Sequence, residues 1–383
     1  MRAYLDNAAT TPLDARVLNK MKPYFSLEYG NPSSIHQLGQ ESFIAISRAR
    51  ENIAKIIGGK SESIIFTSGA SESNNFIIKG VVLANSGKRN KIITSNIEHP
   101  CVREAAKELA RNGFVFEEVS VNEDGIVTPE ALEKVLDDKT ILVSIMTVNN
   151  EIGTVNDIAK LSEITHRFGA YFHTDAVQAV PYLKLNIEKM GIDLLSLSAH
   201  KFYGPKGVGL AYVKKGIKIK PLIHGGEQEG GLRAGTYNVP GIVGLEAALE
   251  LAYKERTVYL KKVKFLRDYL WKRIKTEIKD VHLNGSMRNR VPANLNIMFS
   301  SIEGEAILMD MSYKGVYVST GSACSASNLH SSYVLKAIGL NDNKLNSNIR
   351  FSLGRQTTKK ELDYTVKCLK DTVARLRKFS PIK

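Results

Sequence analysis

The chain has 383 residues, 43% of them hydrophobic and 24% charged, with 29 Gly and only 11 Pro; this length predicts two domains, or one large domain with a smaller one attached. The ordinary composition excludes a disordered chain, a collagen-like repeat and a disulfide scaffold. Lys and Arg outnumber Asp and Glu by 53 to 39, a net charge of +14, which indicates a basic surface and does not by itself define a function.

Short apolar runs alternate with helix-like segments from about residue 40 to residue 215. This alternation is typical of an α/β fold in which helices flank a mostly parallel sheet. Seven runs are predicted strands: Ser63–Thr67, Lys91–Ser95, Phe114–Val119, Ile141–Thr147, Tyr171–Thr174, Leu194–Ser198 and Gly209–Val213. In such a sheet, the loops that leave the carboxyl ends of the strands carry the function.

Beyond residue 250 the pattern changes to a long helix that would connect two domains. Apolar residues recur there at helical spacing, at Tyr259, Val263, Leu266, Leu270 and Ile274. Ten Lys or Arg and four Asp or Glu lie between Lys254 and Asp280, a local net charge of +6. We interpret this charge as the solvated face of an amphipathic helix, because no nucleic-acid-binding motif accompanies it.

Cysteine usage and hydropathy predict a cytoplasmic protein. Cys101, Cys324 and Cys368 lie far apart and form no CxxC pair, which is typical of a reducing compartment. No apolar run precedes Asp6, so no secretory signal is visible. The longest uncharged stretch, residues 315–335, is rich in Ser and Thr and predicts no membrane segment.

Small polar residues follow the first strand, from Thr67 to Asn75, and lead into a helix. The backbone N–H groups of such a turn, the helix dipole and the Ser71 hydroxyl suit a phosphate group. The turn has no lysine, so it is not a nucleotide P-loop. An ordinary capped helix explains the same residues equally well.

Two charged residues at strand ends favour cofactor chemistry. Asp175 ends an apolar strand, where it could hold a proton on a ligand nitrogen or simply cap a helix. Lys201 follows another strand in a turn rich in Gly and Pro, where a desolvated amine could attack a carbonyl. A phosphate turn, an acid and a lysine in one α/β sheet are the parts that a pyridoxal phosphate enzyme requires.

Further residues suit roles in proton transfer, nucleophilic attack and carboxylate binding. His99 follows a strand and could move protons or stack on a flat cofactor, or be an ordinary loop histidine. Cys324 lies in a run of small residues, which favours an available nucleophile, whereas Cys101 and Cys368 fit helices and a structural role. Arg350 or Arg355 could bind a carboxylate, and strand alternation would place them on opposite sides. No cysteine has a partner at metal-ligand spacing, which disfavours a metal site.

A series of short motifs makes the chain resemble the cysteine desulfurases of the NifS/IscS type, in the class V aminotransferase group. The resemblance covers essentially the whole chain. The motifs are Tyr4–Pro12, Gly30–His36, Thr67–Ser73, Glu98–Pro100, Val148–Gly153, His173–Gln178, Ser198–Lys201, Arg233–Thr236, Gly321–Cys324 and Arg350–Arg355.

The resemblance implies the pyridoxal phosphate-dependent transferase fold of type I, with a mostly parallel seven-stranded sheet in a large domain and a smaller α+β domain. The large domain would span residues 14–255, and the small one residues 1–13 and 256–383.

The resemblance also implies a homodimer and a set of residues with assigned roles. Lys201 would hold the cofactor aldehyde, His99 would stack on the ring and move protons, and Asp175 would pair with the ring nitrogen. Gln178 and Asn150 would contact the ring hydroxyl, with Asn150 also near the substrate; the phosphate would be bound by Ala70, Ser71, Ser198, His200 and the partner subunit's Thr236.

The implied reaction removes sulfur from L-cysteine. Arg350 would bind the carboxylate of L-cysteine, and Cys324 would attack its sulfur, leaving L-alanine and a persulfide on Cys324. That sulfur would pass to an iron–sulfur scaffold or another acceptor, including tRNA thiolation. A selenocysteine lyase or another class V aminotransferase is the main alternative, although a transaminase has no use for Cys324. A basic nucleic-acid-binding protein is the least favoured alternative, because the predicted cofactor residues would then have no role.

Three positions depart from the family pattern. Ser71 replaces the usual Thr and keeps the hydroxyl. Glu227 and Gly230 stand where Gly and Arg are common, which affects the expected detail at the dimer edge and near the phosphate.

Overall fold

The computed structural model describes residues 1–321 and 332–380, so the predicted nucleophile Cys324 lies outside the described residues. In chain order the strands are β1 (Ala3–Tyr4), β2 (Ile64–Thr67), β3 (Lys91–Ser95), β4 (Val115–Val119), β5 (Thr140–Ser144), β6 (Tyr171–Asp175), β7 (Leu194–Ser198), β8 (Gly209–Val213), β9 (Val281–Leu283), β10 (Asn294–Phe299), β11 (Val316–Tyr317) and β12 (Asn348–Ser352).

The α-helices lie between and beyond these strands. They are α1 (Ala15–Met21), α2 (Pro23–Ser26), α3 (Gln37–Ile57), α4 (Ala70–Ala84), α5 (Pro100–Arg111), α6 (Pro129–Val135), α7 (Ile158–Arg167), α8 (Val239–Glu277), α9 (Gly304–Tyr313), α10 (Tyr333–Ala337) and α11 (Lys359–Phe379).

Within the described residues, the central sheet has seven strands in the order β2-β8-β7-β6-β5-β3-β4. Every neighbouring pair is parallel except those that include β8, which runs antiparallel to both β2 and β7. The predicted α/β class and its mostly parallel seven-stranded sheet are therefore confirmed. Because β2 and β7 both oppose β8, the other six strands point their carboxyl ends to one edge.

The apolar runs form central strands because both faces of the sheet are covered. All residues of β2, β3, β5, β7 and β8 are buried, as expected for a sheet with helices on both sides. The strand predicted to end at Thr147 ends at Ser144 instead. At this point the Met146 N–H donates to the Glu98 carboxylate at 2.8 Å rather than to a neighbouring strand.

Helix α8 is the predicted long helix, but it begins at Val239, before the charged stretch. Its first half packs into the hydrophobic cluster under the central sheet through residues such as Leu245 and Leu249. Its second half packs through Val263 and Leu270 into a separate cluster around the three-stranded antiparallel sheet β12-β10-β9. The helix thus contributes to both cores, while the boundary at residue 255 stays a prediction.

Candidate active site

Three predicted site residues and the predicted phosphate turn lie at the carboxyl edge of the central sheet. Asp175 is the last residue of β6, and Lys201 lies in a 3₁₀ turn directly after β7. His99 precedes α5 just beyond the end of β3, and the turn after β2 leads into α4 at Ala70. Parallel strands place these ends side by side, which is where open α/β sheets bind ligands.

Asp175 is a buried carboxylate held by two hydrogen bonds. Asn74 Nδ2 donates to Oδ2 at 2.8 Å, and the Val177 N–H donates to Oδ1 at 3.0 Å. Residues 177–182 form turns, so the alternative role of Asp175 as a helix cap does not apply there. The two donors fix the orientation of an anion that can pair with a cationic ligand nitrogen.

Lys201 meets the N-terminal segment of the chain. Its Nζ donates to the carbonyl oxygens of Ala8 and Ala9, both at 2.8 Å. Gln178 Nε2 donates to the same Ala8 oxygen at 2.9 Å, so the amine and the amide lie side by side. The half-buried amine is therefore held at the sheet edge rather than extended into solvent.

His99 and Asp175 are linked through two side chains between them. His99 Nδ1 lies 3.0 Å from the Cys101 thiol, and Asn74 Nδ2 donates to that thiol at 3.2 Å as well as to Asp175. Burial lowers the pKa of the His99 imidazole. The charge of Lys201 lowers this pKa further, and the charge of Asp175 opposes the shift. A neutral imidazole is thus available to accept a proton.

The start of α4 leaves its first backbone N–H groups without a side-chain cap. Its N-cap residue, Gly69, has φ 155° and supplies no side-chain cap to the first N–H groups of the helix. A Cβ built on Gly69 would lie 3.7 Å from the buried Ser198 hydroxyl, so the end of β7 adjoins this turn. Ser71, on the first turn of α4, is exposed. These donors suit a phosphate group.

His200 follows β7 and meets the N-terminal segment. Its Nδ1 lies 3.0 Å from the Thr10 hydroxyl. Burial, together with the charges of Lys201 and Lys206, lowers the pKa of His200 to about 4.

Thr236 adjoins the turn before α4 of the same chain. It is exposed and, with Thr67 and Ser68, lines a cavity of about 150 Å³. The same loop is tied to α4 by Arg233, whose Nε donates to Glu72 Oε1 at 2.8 Å. A reach of Thr236 into a second subunit stays a prediction.

Arg350 lies on β12 and is almost fully buried, with 2% of its surface exposed. Its guanidinium donates to the carbonyl oxygens of Asn150 and Gly321, each at 2.9 Å, and to Asp6 Oδ1 at 2.8 Å. Its Nε is buried without a partner among the described residues. The guanidinium thus lies beside Asn150, and its Nε–H and the second Nη2–H have no partner among the described residues.

Arg355 stabilises the fold through contacts outside the site. Strand alternation, which predicted that Arg350 and Arg355 face opposite sides, is not the cause. It lies beyond the end of β12, where strand alternation no longer applies. Its guanidinium pairs with Asp14 and Glu255 and stacks 4.4 Å from the centre of the Tyr203 ring.

Several contacts at the site were missed from the sequence. Asn74 projects from the buried side of α4, and nothing in its spacing distinguishes it from a core-facing residue. Cys101 lies on a helix as predicted, yet its thiol touches the site. Burial and the charge of Asp175 raise the pKa of the Cys101 thiol to about 12, so it is a poor nucleophile.

Across residues 1–321 and 332–380, we find no helix with the length and apolarity that a bilayer crossing requires.

Comparison with known proteins agrees with this architecture. The family model for aminotransferase class-V matches residues 3–365. The cysteine desulfurase IscS of Dictyoglomus turgidum is 51% identical over 380 residues, covering 99% of this chain and 96% of that protein. A solved structure of a NifS-like protein is 39% identical with a TM-score of 0.93, over 98% of this chain and 100% of that one. The structure titled SspA in complex with cysteine is 36% identical with a TM-score of 0.81, over 92% and 98% of the two chains. The chain therefore belongs to the class-V aminotransferase family and, within it, to the group of the cysteine desulfurases IscS.

Proposed function

We propose that this chain is a cysteine desulfurase, which converts L-cysteine to L-alanine and carries the sulfur as a persulfide on Cys324. One observation supports this most strongly. A lysine amine, a buried carboxylate and a neutral imidazole meet at one sheet edge beside an anion-binding helix start. The similarity to cysteine desulfurases over the whole chain supports the same reaction.

The residues present fit pyridoxal 5'-phosphate as the cofactor. Gly69 leaves the start of α4 open beside Ser198, which would hold the phosphate together with Ala70, Ser71 and His200. Lys201 would bind the aldehyde carbon through Nζ, and Asp175 would pair with the ring nitrogen. His99 would stack on the ring face, and Gln178 and Asn150 would contact the ring hydroxyl.

When bound, pyridoxal phosphate supplies an electron sink for the electron pair left when the substrate loses its α-proton. Asp175, whose carboxylate is fixed by Asn74 and the Val177 N–H, would keep the ring nitrogen protonated. Lys201 Nζ and the neutral His99 imidazole accept and return protons during turnover.

Arg350 binds the substrate carboxylate with part of its guanidinium. Its Nε is buried and unpaired among the described residues, and its Nη2 donates to Asp6. A carboxylate placed beside Asn150 would satisfy this donor through a charge-assisted hydrogen bond.

Cys324 accepts the sulfur atom of the substrate. Its thiolate attacks the substrate sulfur, an S–S bond forms, and the C–S bond of the substrate breaks. The carbon fragment gains a proton and leaves as L-alanine, and the persulfide then donates sulfur to an acceptor. An iron–sulfur scaffold protein is the acceptor we favour, with tRNA thiolation as another route.

The chain functions as a homodimer in the cytoplasm. Large apolar side chains are exposed on α2, α3 and the segment between them, among them Leu27 and Ile35, which is 94% exposed. A patch of this kind typically marks a protein interface. A second subunit packed there would supply Thr236 to the phosphate.

Steady-state turnover of L-cysteine tests the activity. The protein loaded with pyridoxal phosphate, given L-cysteine and a thiol reductant, should release equal amounts of alanine and sulfide. Cys324→Ala should keep the yellow cofactor and lose both products, whereas Lys201→Ala should lose the borohydride-reducible link to the cofactor. Alanine that does not depend on Cys324 would indicate a lyase, and no product from a yellow protein would contradict the proposal.

A further inference from the structure

The Lys201 amine has two backbone acceptors in the N-terminal segment. Its Nζ donates to the carbonyl oxygens of Ala8 and Ala9, both at 2.8 Å. In an extended strand, the carbonyl groups of two consecutive residues would point to opposite sides. A turn at residues 7–9 instead directs both oxygens to one amine. These two oxygens form the carbonyl pair.

The carbonyl pair is anchored on both sides of the site. On one side, the Ala8 N–H donates to Ser352 Oγ on β12 at 2.9 Å. On the other side, the N–H and the hydroxyl of Thr11 both donate to the His200 carbonyl oxygen at 2.9 Å. Because His200 directly precedes Lys201, these bonds fix the position of the pair relative to the backbone of the lysine.

The proposed reaction requires acceptors for this amine at one stage. The amino group of L-cysteine replaces Lys201 on the aldehyde carbon of the cofactor, and the released amine then takes the α-proton of the substrate as H⁺. The electron pair of the broken C–H bond stays with the carbon fragment and the cofactor. The resulting ammonium has three N–H donors, and burying it without acceptors would be costly.

We propose that the carbonyl oxygens of Ala8 and Ala9 hold the Lys201 amine whenever it is released from the cofactor, and stabilise it as an ammonium after it takes the α-proton. This role rests on the proposed function. The carbonyl pair acts mainly on the released amine, because a lysine nitrogen joined to the aldehyde carbon has lost most of its N–H donors. Weakening the pair should therefore lower the affinity for a substrate amine without lowering the affinity for pyridoxal phosphate.

A backbone ester changes the carbonyl pair without changing a side chain. An ester between Ala9 and Thr10 weakens the Ala9 oxygen as an acceptor and removes the Thr10 N–H, which has no hydrogen-bond partner in the described part of the chain. Cell-free translation with a tRNA that carries the α-hydroxy analogue of threonine supplies this variant. The same change at Leu13 is the matched control, because the Pro12 carbonyl oxygen and the Leu13 N–H form no hydrogen bond within residues 1–321 and 332–380.

Titration of the pyridoxal phosphate-loaded protein with L-alanine, followed by the cofactor absorbance, measures release of the lysine. L-Alanine has the amino group and the carboxylate of the substrate but no sulfur. The Thr10 ester should raise the Kd for L-alanine about fivefold, the scale of weakening one hydrogen bond to a charged group, while pyridoxal phosphate binds at least as tightly as in wild type. General damage to the site would weaken both. Exchange of the L-alanine α-hydrogen with deuterium from heavy water should slow in the same variant.

Tyr4 allows the same test with natural amino acids. Its hydroxyl donates to the carbonyl oxygens of Thr10 at 2.9 Å and Asp6 at 3.1 Å, on either side of the turn. Tyr4→Phe should therefore loosen the turn and also raise the Kd for L-alanine. Tyr317→Phe is the matched control, because Tyr317 pairs with Tyr4 between β1 and β11 and its hydroxyl has no hydrogen-bond partner among the described residues.

The outcomes separate this role from the proposed function. A Kd for L-alanine within about twofold of wild type in both the Thr10 ester and Tyr4→Phe would overturn the role of the carbonyl pair. An equal loss of pyridoxal phosphate binding would overturn it as well. A wild-type protein that binds L-alanine but does not turn over L-cysteine would refute the proposed function, while the ester comparison would still decide the role of the pair. A cofactor absorbance that does not respond to L-alanine in wild type would refute both.

Discussion

Burial at the carboxyl edge of the sheet keeps several ionisable side chains neutral near pH 7. It raises the pKa of Glu98 to about 8 and, in the strand beneath the site, lowers the pKa of His173 to about 3. Neither group therefore adds a charge to the site near pH 7. Desolvation, rather than a charged partner, is the main cause of both pKa shifts.

Glu98 should make the stability of the protein depend on pH. The folded carboxyl holds its proton up to about pH 8, against an ordinary pKa of 4.5. This contribution to stability is therefore fully present below pH 4.5 and is lost as the pH rises toward 8, by up to about 1.4 kcal/mol per pH unit. Urea unfolding of Glu98→Gln between pH 5 and 8 should give a flatter dependence than wild type. Parallel curves for the two proteins would contradict this protonation state.

Asp175→Asn tests whether Asp175 acts as the partner of the ring nitrogen or is only a buried carboxylate. An amide cannot hold a proton on the ring nitrogen, so kcat should fall at least about 100-fold while the cofactor stays bound. Asp193→Asn is the control, because Asp193 is equally buried but lies before β7, at the opposite edge of the sheet. The control should lose stability and keep kcat, and equal kcat losses in both variants would refute the assigned role.

At the scale of elements, the alternation of apolar runs predicted each strand of the central sheet. The runs are short and bounded by polar or glycine-rich residues, a pattern that is typical of buried parallel strands. The end of β5 could not be predicted, because the Glu98 carboxyl group, which accepts a hydrogen bond from the Met146 N–H, is distant in sequence. The start of α8 at Val239 was also missed, because its first turns contain Pro240, Gly241 and Gly244, which are weak helix formers.

Gly69, in the turn before α4, should be required for cofactor binding. Gly69 has φ 155°, and Gly87, on an exposed loop, has φ 152°. Alanine at either position should destabilise the protein by a similar amount, about 1–2 kcal/mol, because an L side chain is strained there. Only Gly69→Ala should also weaken cofactor binding, measured by titrating pyridoxal phosphate into the apoprotein. Equal affinity in the two variants would place the phosphate elsewhere.

At the scale of the whole molecule, the site depends on contacts between distant parts of the chain. Lys201 meets Ala8 and Ala9, and Arg350 meets Asp6 and Asn150. The sequence predicted Lys201, Arg350 and Asn150 as site residues, because strand ends and family motifs mark them. It could not predict that the N-terminal segment closes the site, since local patterns carry no information on contacts across 190 residues or more.

The proposed dimer gives a prediction at this scale. Leu27→Asp combined with Ile35→Asp places two charges on the exposed apolar patch and should yield the mass of one chain in light scattering. This variant should also retain less pyridoxal phosphate, because the partner's Thr236 is then missing. Met309→Asp is the control, because Met309 is exposed on α9, far from the patch in sequence. A double variant that remains a dimer would place the interface elsewhere.

The masses of the cysteine-bearing peptides after one equivalent of L-cysteine, without reductant, test whether Cys324 carries the sulfur. The proposed mechanism predicts one added sulfur atom on the peptide that contains Cys324 and an equal amount of free alanine. The peptides of Cys101 and Cys368 should be unchanged, because Cys101 has a raised pKa and Cys368 is buried in α11. Alanine formed without added sulfur on Cys324, or sulfur found on Cys101 instead, would contradict the account.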